Sequence, residues 1–156
     1  MKLIYFLSVF LIGLALFISH RNNLLDLSIR YEKADVAIGV NLFTVDVADD
    51  GFKRDKGLGG RESLAPNEGM LFTFTRPAPR SFWMKGMLIP IDIVWISENK
   101  VIGVTENVDP EIDVPIHKLT RYRSPQEADM VLEIAAGEVK RLKIKVGDNV
   151  NVKFRD

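Results

Sequence analysis

The sequence contains no cysteine. Disulfides, thiolate nucleophiles and cysteine-based zinc or iron–sulfur sites are therefore excluded. Histidine is almost absent: His20 lies beside the first apolar run and His117 far downstream in a proline-bearing stretch. Two such separated imidazoles do not make a histidine-rich metal site, and no metal is expected. A Ser-His-Asp triad would have to run through His117, and no Gly-x-Ser-x-Gly elbow accompanies it. Net charge is missing too. The 21 Lys plus Arg balance 21 Asp plus Glu, so no overall field concentrates nucleic acid. The local basic cluster Lys140, Arg141, Lys143 and Lys145 is interleaved with apolar residues and reads as a solvated face. No internal repeat or low-complexity tract is present. Carboxylates, lysines, hydroxyls and backbone groups are left to act, and no cofactor is expected.

One long apolar run stands out. Lys2 precedes an uninterrupted stretch from Leu3 to Ile18, closed by Ser19, His20 and Arg21. At 1.5 Å per residue such a helix spans about 24 Å, somewhat short of a hydrocarbon core of about 30 Å. A signal peptide would share the basic start and apolar core but needs a small-x-small cleavage site, and Phe17 spoils the one ending at Ser19. Residues 1–21 are read as an uncleaved signal anchor ahead of a cleaved signal peptide. Membrane contact is expected through residues 3–18, with the rest extracytoplasmic, or secreted or periplasmic if the segment is cut. Residues 22–34 are polar and mixed, and read as a linker.

From Asp35 to Asp156 the pattern is that of one β-rich domain. Val36, Ile38, Val40 and Leu42 alternate, then the phase switches to Phe43, Val45 and Val47, which predicts a bulge or two short strands. Asp49-Asp50 is placed to cap a short helix ending at Gly57, and Ala65–Gly69 is turn chemistry. Strands are predicted over Met70–Thr75, Ser81–Lys85 and Ile91–Ile96, the last apolar on both faces and so covered on both. Lys100–Thr105 pairs with it as a hairpin, and Glu106–Pro125 reads as a long loop. Met130–Ile134, a short helix in Ala136–Leu142 and a closing strand Val150–Phe154 complete a sandwich or barrel.

Several motifs fall in a recognisable order: Arg54-x-x-Gly57-Leu58-x-x-Arg61-x-x-Leu64, Gly69-Met70-Leu71-Phe72, Phe82-Trp83-Met84-Lys85 and Ile89-Pro90-Ile91-Asp92-Ile93. Val131-Leu132-Glu133-Ile134-x-Ala136-Gly137 and the Lys145-Val146-Gly147-Asp148 turn follow. Over roughly residues 36–152 the chain resembles the bacterial and archaeal Domain of Unknown Function 192 family. The resemblance implies a mainly β fold, a jelly-roll-like antiparallel sandwich, often exported and with no established activity. Two positions depart from the family pattern. Gly57-Leu58-Gly59 stands where the family usually has Gly-Leu-Met, and Lys85-Gly86-Met87 where it usually has Lys-Asn-Thr.

Asp92 draws attention on chemical grounds, since a carboxylate on an otherwise apolar strand face is costly to bury without partners. Lys85 is its expected partner, with Arg54 and Arg61 as others. The ligand-binding candidates are therefore Arg54, Arg61, Trp83, Lys85 and Asp92, a charged pair at a pocket rim with Trp83 as an apolar wall. The competing reading is structural: Asp92 accepts backbone N–H groups or fixes strand register. A second acidic feature, Asn107 with Asp109-Pro110-Glu111-Ile112-Asp113, alternates like a calcium loop but has Val114 and Thr120 where glycine and glutamate are required. It reads as a solvated loop.

Three functional classes remain open. The first is a ligand- or protein-binding module anchored outside the membrane, with a small ligand or an envelope protein as partner. The second is a carboxylate-dependent hydrolase of envelope carbohydrate or peptide, which needs two carboxyls roughly 5–10 Å apart in a cleft, drawn from Asp92, Glu62 and Glu68. The third is a purely structural envelope protein assembling through strand edges.

Overall fold

Strand β4, Ile91–Ser97, explains most of the architecture, because its first six residues are all buried. A strand buried on both faces needs neighbours on both edges and cover above and below. The computed structural model describes residues 29–155 and supplies all four. The apolar segment at 3–18, the signal anchor at 1–21 with its expected hydrophobic helix, and residues 22–28 of the linker lie outside the described residues. Within the described residues no helix is long and apolar enough to cross a membrane.

Strand β1, Glu32–Ile38, turns at Gly39-Val40 into β2, Asn41–Ala48. The phase switch in the sequence is thus a hairpin, and Val40, expected on the buried face, is fully exposed at its tip. Strand β1 also starts inside the expected linker, at Glu32 rather than Asp35. Helix α1, Gly51–Lys56, is capped as its sequence predicts: the Asp50 side chain accepts the Lys53 N–H at 2.8 Å. Strand β3 runs from Glu68 to Phe82 with register shifts after Thr73 and Pro79, joining two predicted strands into one. β4 and β5, Lys100–Val108, form a hairpin through Glu98 and Asn99, both at positive φ. A 3₁₀ turn at Ile116–Lys118 leads to β6, Tyr122–Ala135, then to α2, Glu138–Leu142, and β7, Val150–Phe154.

The seven strands form one sheet in the order β5-β4-β6-β3-β2-β1-β7. The mainly β character with two short helices matches the sequence reading, but the sheet is mixed, because β2 and β3 run parallel. A parallel pair needs a crossover, and residues 49–67 provide it. The sheet also curls until its edge strands meet at one corner, where Lys100 bridges Asn149 and the Val101 N–H reaches the Asp148 carbonyl at 3.0 Å. An inner core fills the curl, with Phe43, Leu71, Val94, Ile96, Leu132 and Ile134 among its residues. A second core covers the outside of β3, β4 and β6, built from Phe72, Ile93, Trp95 and Val131 beneath Leu58, Met84 and Met87.

Asp92 belongs to the inner side, with Val94 and Ile96, and is fully buried. Its two oxygens accept the backbone N–H of Asn107 at 2.8 Å and of Val139 at 2.9 Å. The first bond holds a chain irregularity, since Asn107 has positive φ and the β4–β5 register shifts beside it. The second pins α2 over one end of the sheet. Replacing Asp92 with alanine strands the buried Val139 N–H and frees the part-buried Asn107 N–H, so the folded state should lose about 2–4 kcal/mol. Urea denaturation checks this; a loss below about 1 kcal/mol would contradict the assigned role.

Candidate functional site

The outer cover does not seal the sheet. Between α1, the Gly57-Leu58 turn, the outer face of β3 and the Trp83–Met87 turn lies a cavity of about 300 Å³. Phe72, Phe74, Phe82 and Trp83 give it aromatic walls, and Arg54, Lys56 and Lys85 line it with cationic groups. The Phe72 and Phe82 rings meet edge to face at 4.8 Å, fixing the back wall. The Arg54 guanidinium donates to the carbonyls of Asp49 at 2.7 Å and Thr73 at 2.9 Å and lies 5.1 Å from the Phe74 ring centroid. Arg121 stacks on Trp83 at 3.8 Å, with the Lys85 ammonium 5.4 Å from the same ring.

Glu133 of β6 also lines the cavity. It shares the outer face with Val131 and is only 4% exposed, yet none of the hydrogen bonds or ion pairs resolved among the described residues reaches its carboxylate. Burial alone pushes its pKa up to about 8. The group is therefore a neutral carboxylic acid near neutral pH, able to donate one hydrogen bond and accept another. A mostly buried acid that lines a cavity, engaged by no other side chain among the described residues, is open to a polar ligand group.

The sequence-derived candidates divide. Arg54, Trp83 and Lys85 come together around the cavity. The Lys85–Asp92 pair expected from sequence does not form; the Lys85 ammonium sits 3.1 Å from Asp55 on α1. Asp92 faces the opposite side of the sheet and is satisfied by backbone N–H groups, so it forms no pocket rim. Arg61 also turns away, binding Asp46, which Lys33 holds at 2.6 Å from the other side. Burial raises the Asp46 pKa, but these two cations outweigh it and leave it below the usual carboxylate range. The carboxylates Asp92, Glu62 and Glu68 do not converge on the cavity. In the acidic loop, Glu111 accepts the Thr120 N–H at 3.0 Å and its hydroxyl at 2.8 Å. Among the described residues no cluster of three His, Asp or Glu side chains is placed to hold a metal ion.

Glu133 was not singled out from sequence, although Val131-Leu132-Glu133-Ile134 carries the same signal as the Asp92 strand: one carboxylate among apolar neighbours. The two departures from the family pattern also meet here. The Gly60 N–H donates to the Gly86 carbonyl at 2.8 Å, and a Cβ at Gly59 would lie 3.0 Å from the Lys56 carbonyl and 3.3 Å from that of Lys85.

The protonation of Glu133 is measurable through stability. The folded chain keeps this proton above pH 4.5, where the unfolded chain loses it, so the contribution is complete below that pH and disappears as pH rises through about 8. Relative to Glu133→Gln, the wild type should lose on the order of 4 kcal/mol across that window. Denaturant unfolding of both proteins at several pH values checks this, and parallel curves would mean that Glu133 is ionised in the fold.

Comparison with known proteins sets this geometry in context. Two crystal structures share the fold. One, from Sinorhizobium meliloti 1021, is of a protein described provisionally as a transcription regulator; it is 30% identical, with a TM-score of 0.70 over 80% of this chain and 97% of that one. The other, from Novosphingobium aromaticivorans DSM 12444, is of a protein of unknown function, 30% identical, with a TM-score of 0.66 over 76% of this chain and 83% of that one. The matched region makes up almost the whole of the first relative's chain, so in that relative the fold stands without a comparable N-terminal segment. No curated protein matches. The family described as DUF192, Uncharacterized ACR, matches residues 33–152, and the chain belongs to that family.

Proposed function

We propose that this chain is a small-molecule-binding module, held at the outer face of a membrane by its N-terminal apolar segment. The observation that carries the binding reading is Glu133, a buried acid at an aromatic-walled cavity that no hydrogen bond or ion pair among the described residues engages. Its carboxyl lines the cavity, where a ligand bearing a hydroxyl or carbonyl oxygen can exchange hydrogen bonds with it. Trp83 and the phenylalanines offer flat apolar contact, and Arg54 supplies a positive charge at the mouth. The extracytoplasmic placement rests on the sequence: a basic start, an apolar run at 3–18 and a domain free of cysteine. Catalysis is not proposed, since the other carboxylate lining the cavity, Asp55, is engaged by Lys85.

The test uses residues 29–156, whose fold stands alone in the relative. Thermal unfolding is recorded with glycerol 3-phosphate, methyl glycosides and simple aromatic acids. At a hundredfold excess over Kd a bound probe adds about 2.7 kcal/mol, a rise of several degrees in Tm. The shift should vanish in Glu133→Leu and in Trp83→Ala while both remain cooperatively folded. A panel that shifts neither wild type nor variants, or one that shifts all three alike, would overturn the assignment.

A further inference from the structure

The cavity is one arm of a longer trough. A second depression of about 200 Å³ shares Lys85 and Met87 with it and runs between Leu88 and the loop carrying Ile112, Val114 and Ile116. A third, of about 420 Å³, passes over Gly59, Gly60 and Gly86 and shares Asp55, Lys56 and Lys85. All three meet at Lys85.

The arms differ in chemistry. The first has an uncharged acid and aromatic walls. The second is mainly apolar, although Glu111 and Asp113 also line it, and its aliphatic side chains are open to water: Ile112 is 65%, Ile116 56% and Leu88 49% exposed. Adjacent large aliphatic residues left this exposed mark a contact surface. At the junction, the Lys85–Asp55 pair is solvent-exposed on both sides, so a ligand anion can replace Asp55 at little cost. Arg54 adds a guanidinium whose hydrogen bonds, among the described residues, go to backbone carbonyls, with a ring face beside it. The two outer depressions are lined by a helix, turns and a loop, with no strand edge that an extended peptide would extend.

From this order of polar, cationic and apolar surface, and resting on the pocket reading above, we propose that the trough binds a single-chain lipid through a phosphate-linked head group. The hydroxylated head lies in the cavity with its oxygens on Glu133, the phosphate sits between Arg54 and Lys85, and the acyl chain lies over Leu88, Ile112, Val114 and Ile116. The phosphate takes over the Lys85 ammonium from Asp55, which turns to water.

The experiment titrates residues 29–156 calorimetrically with lysophosphatidylglycerols of hexanoyl to dodecanoyl chain, each below its micelle concentration, with glycerol 3-phosphate as the chainless head. Affinity should climb with chain length, by up to roughly fourfold for each methylene that becomes fully buried. Leu88→Ser combined with Ile112→Ser removes exposed side chains only, so the fold persists. This variant should flatten the climb yet bind glycerol 3-phosphate as wild type does. An affinity independent of chain length overturns the lipid proposal while leaving the pocket reading in place. An equal climb in the variant also overturns it, placing the chain elsewhere on the surface. Failure of every lysophosphatidylglycerol and of glycerol 3-phosphate overturns the lipid proposal, while the pocket reading falls only if the methyl glycosides and aromatic acids fail as well.

Discussion

The structure depends on one constraint: strands β3, β4 and β6 carry apolar side chains on both faces. Curling the sheet until β5 meets the stretch before β7 buries one face, and α2 closes over its end. The other face cannot be buried that way. It is covered by what the chain has left, the crossover 49–67 and the turn 83–90, which bring Leu58, Met84 and Met87 down onto Phe72, Ile93 and Trp95. Apolar burial at about 25 cal/mol per Å² makes that cover stable, but a six-residue helix and two turns cannot tile a sheet as a second sheet would. The gap they leave is the cavity.

Two carboxylates on adjacent strands illustrate what the two faces do. In the β4–β6 register Asp92 sits opposite Ile134 and Ile93 opposite Glu133, so the acids are one step apart and point to opposite sides. On the inner side the chain supplies two N–H donors to Asp92, one from a β-irregularity and one from the start of α2. The carboxyl group there is held by hydrogen bonds that also position both elements. On the outer side nothing comparable reaches Glu133, and burial without partners favours the neutral form. One acid is a structural fastening and the other is free for chemistry.

The sequence revealed the elements more readily than their assembly. The β4 run, the Asp50 cap, the hairpin through Glu98-Asn99 and the closing strand at Val150–Phe154 are local signals, and each stands where its residues put it. The parallel pairing of β2 with β3 is not local: it depends on where a crossover delivers the chain, and nothing between Asp49 and Asn67 encodes that direction. The site followed the same rule. Arg54, Trp83 and Lys85 share the cavity because they belong to the two cover segments. The argument that pointed to Asp92 from its apolar strand applies equally to Glu133. Which of two such acids finds donors is decided by elements 15 and 47 residues away in sequence, beyond any pattern within the strand.

The same long-range logic joins the two departures from the family pattern. Gly59 and Gly86 lie far apart in the chain, yet their turns are hydrogen-bonded, so the two changes act on one place. Gly86 has φ of +67°, a conformation that asparagine tolerates better than most residues, which accounts for the family's usual choice there. Glycine keeps that backbone and removes the side chain, and the space above its Cα is open. At position 59 a Cβ would press on two carbonyl oxygens, so any side chain there would require the turns to give slightly. With both side chains missing, the turns pack closely and leave bare backbone beside Lys85. The floor between the arms of the trough is thus made by subtraction, bare backbone at Gly59, Gly60 and Gly86 lying beside Lys85.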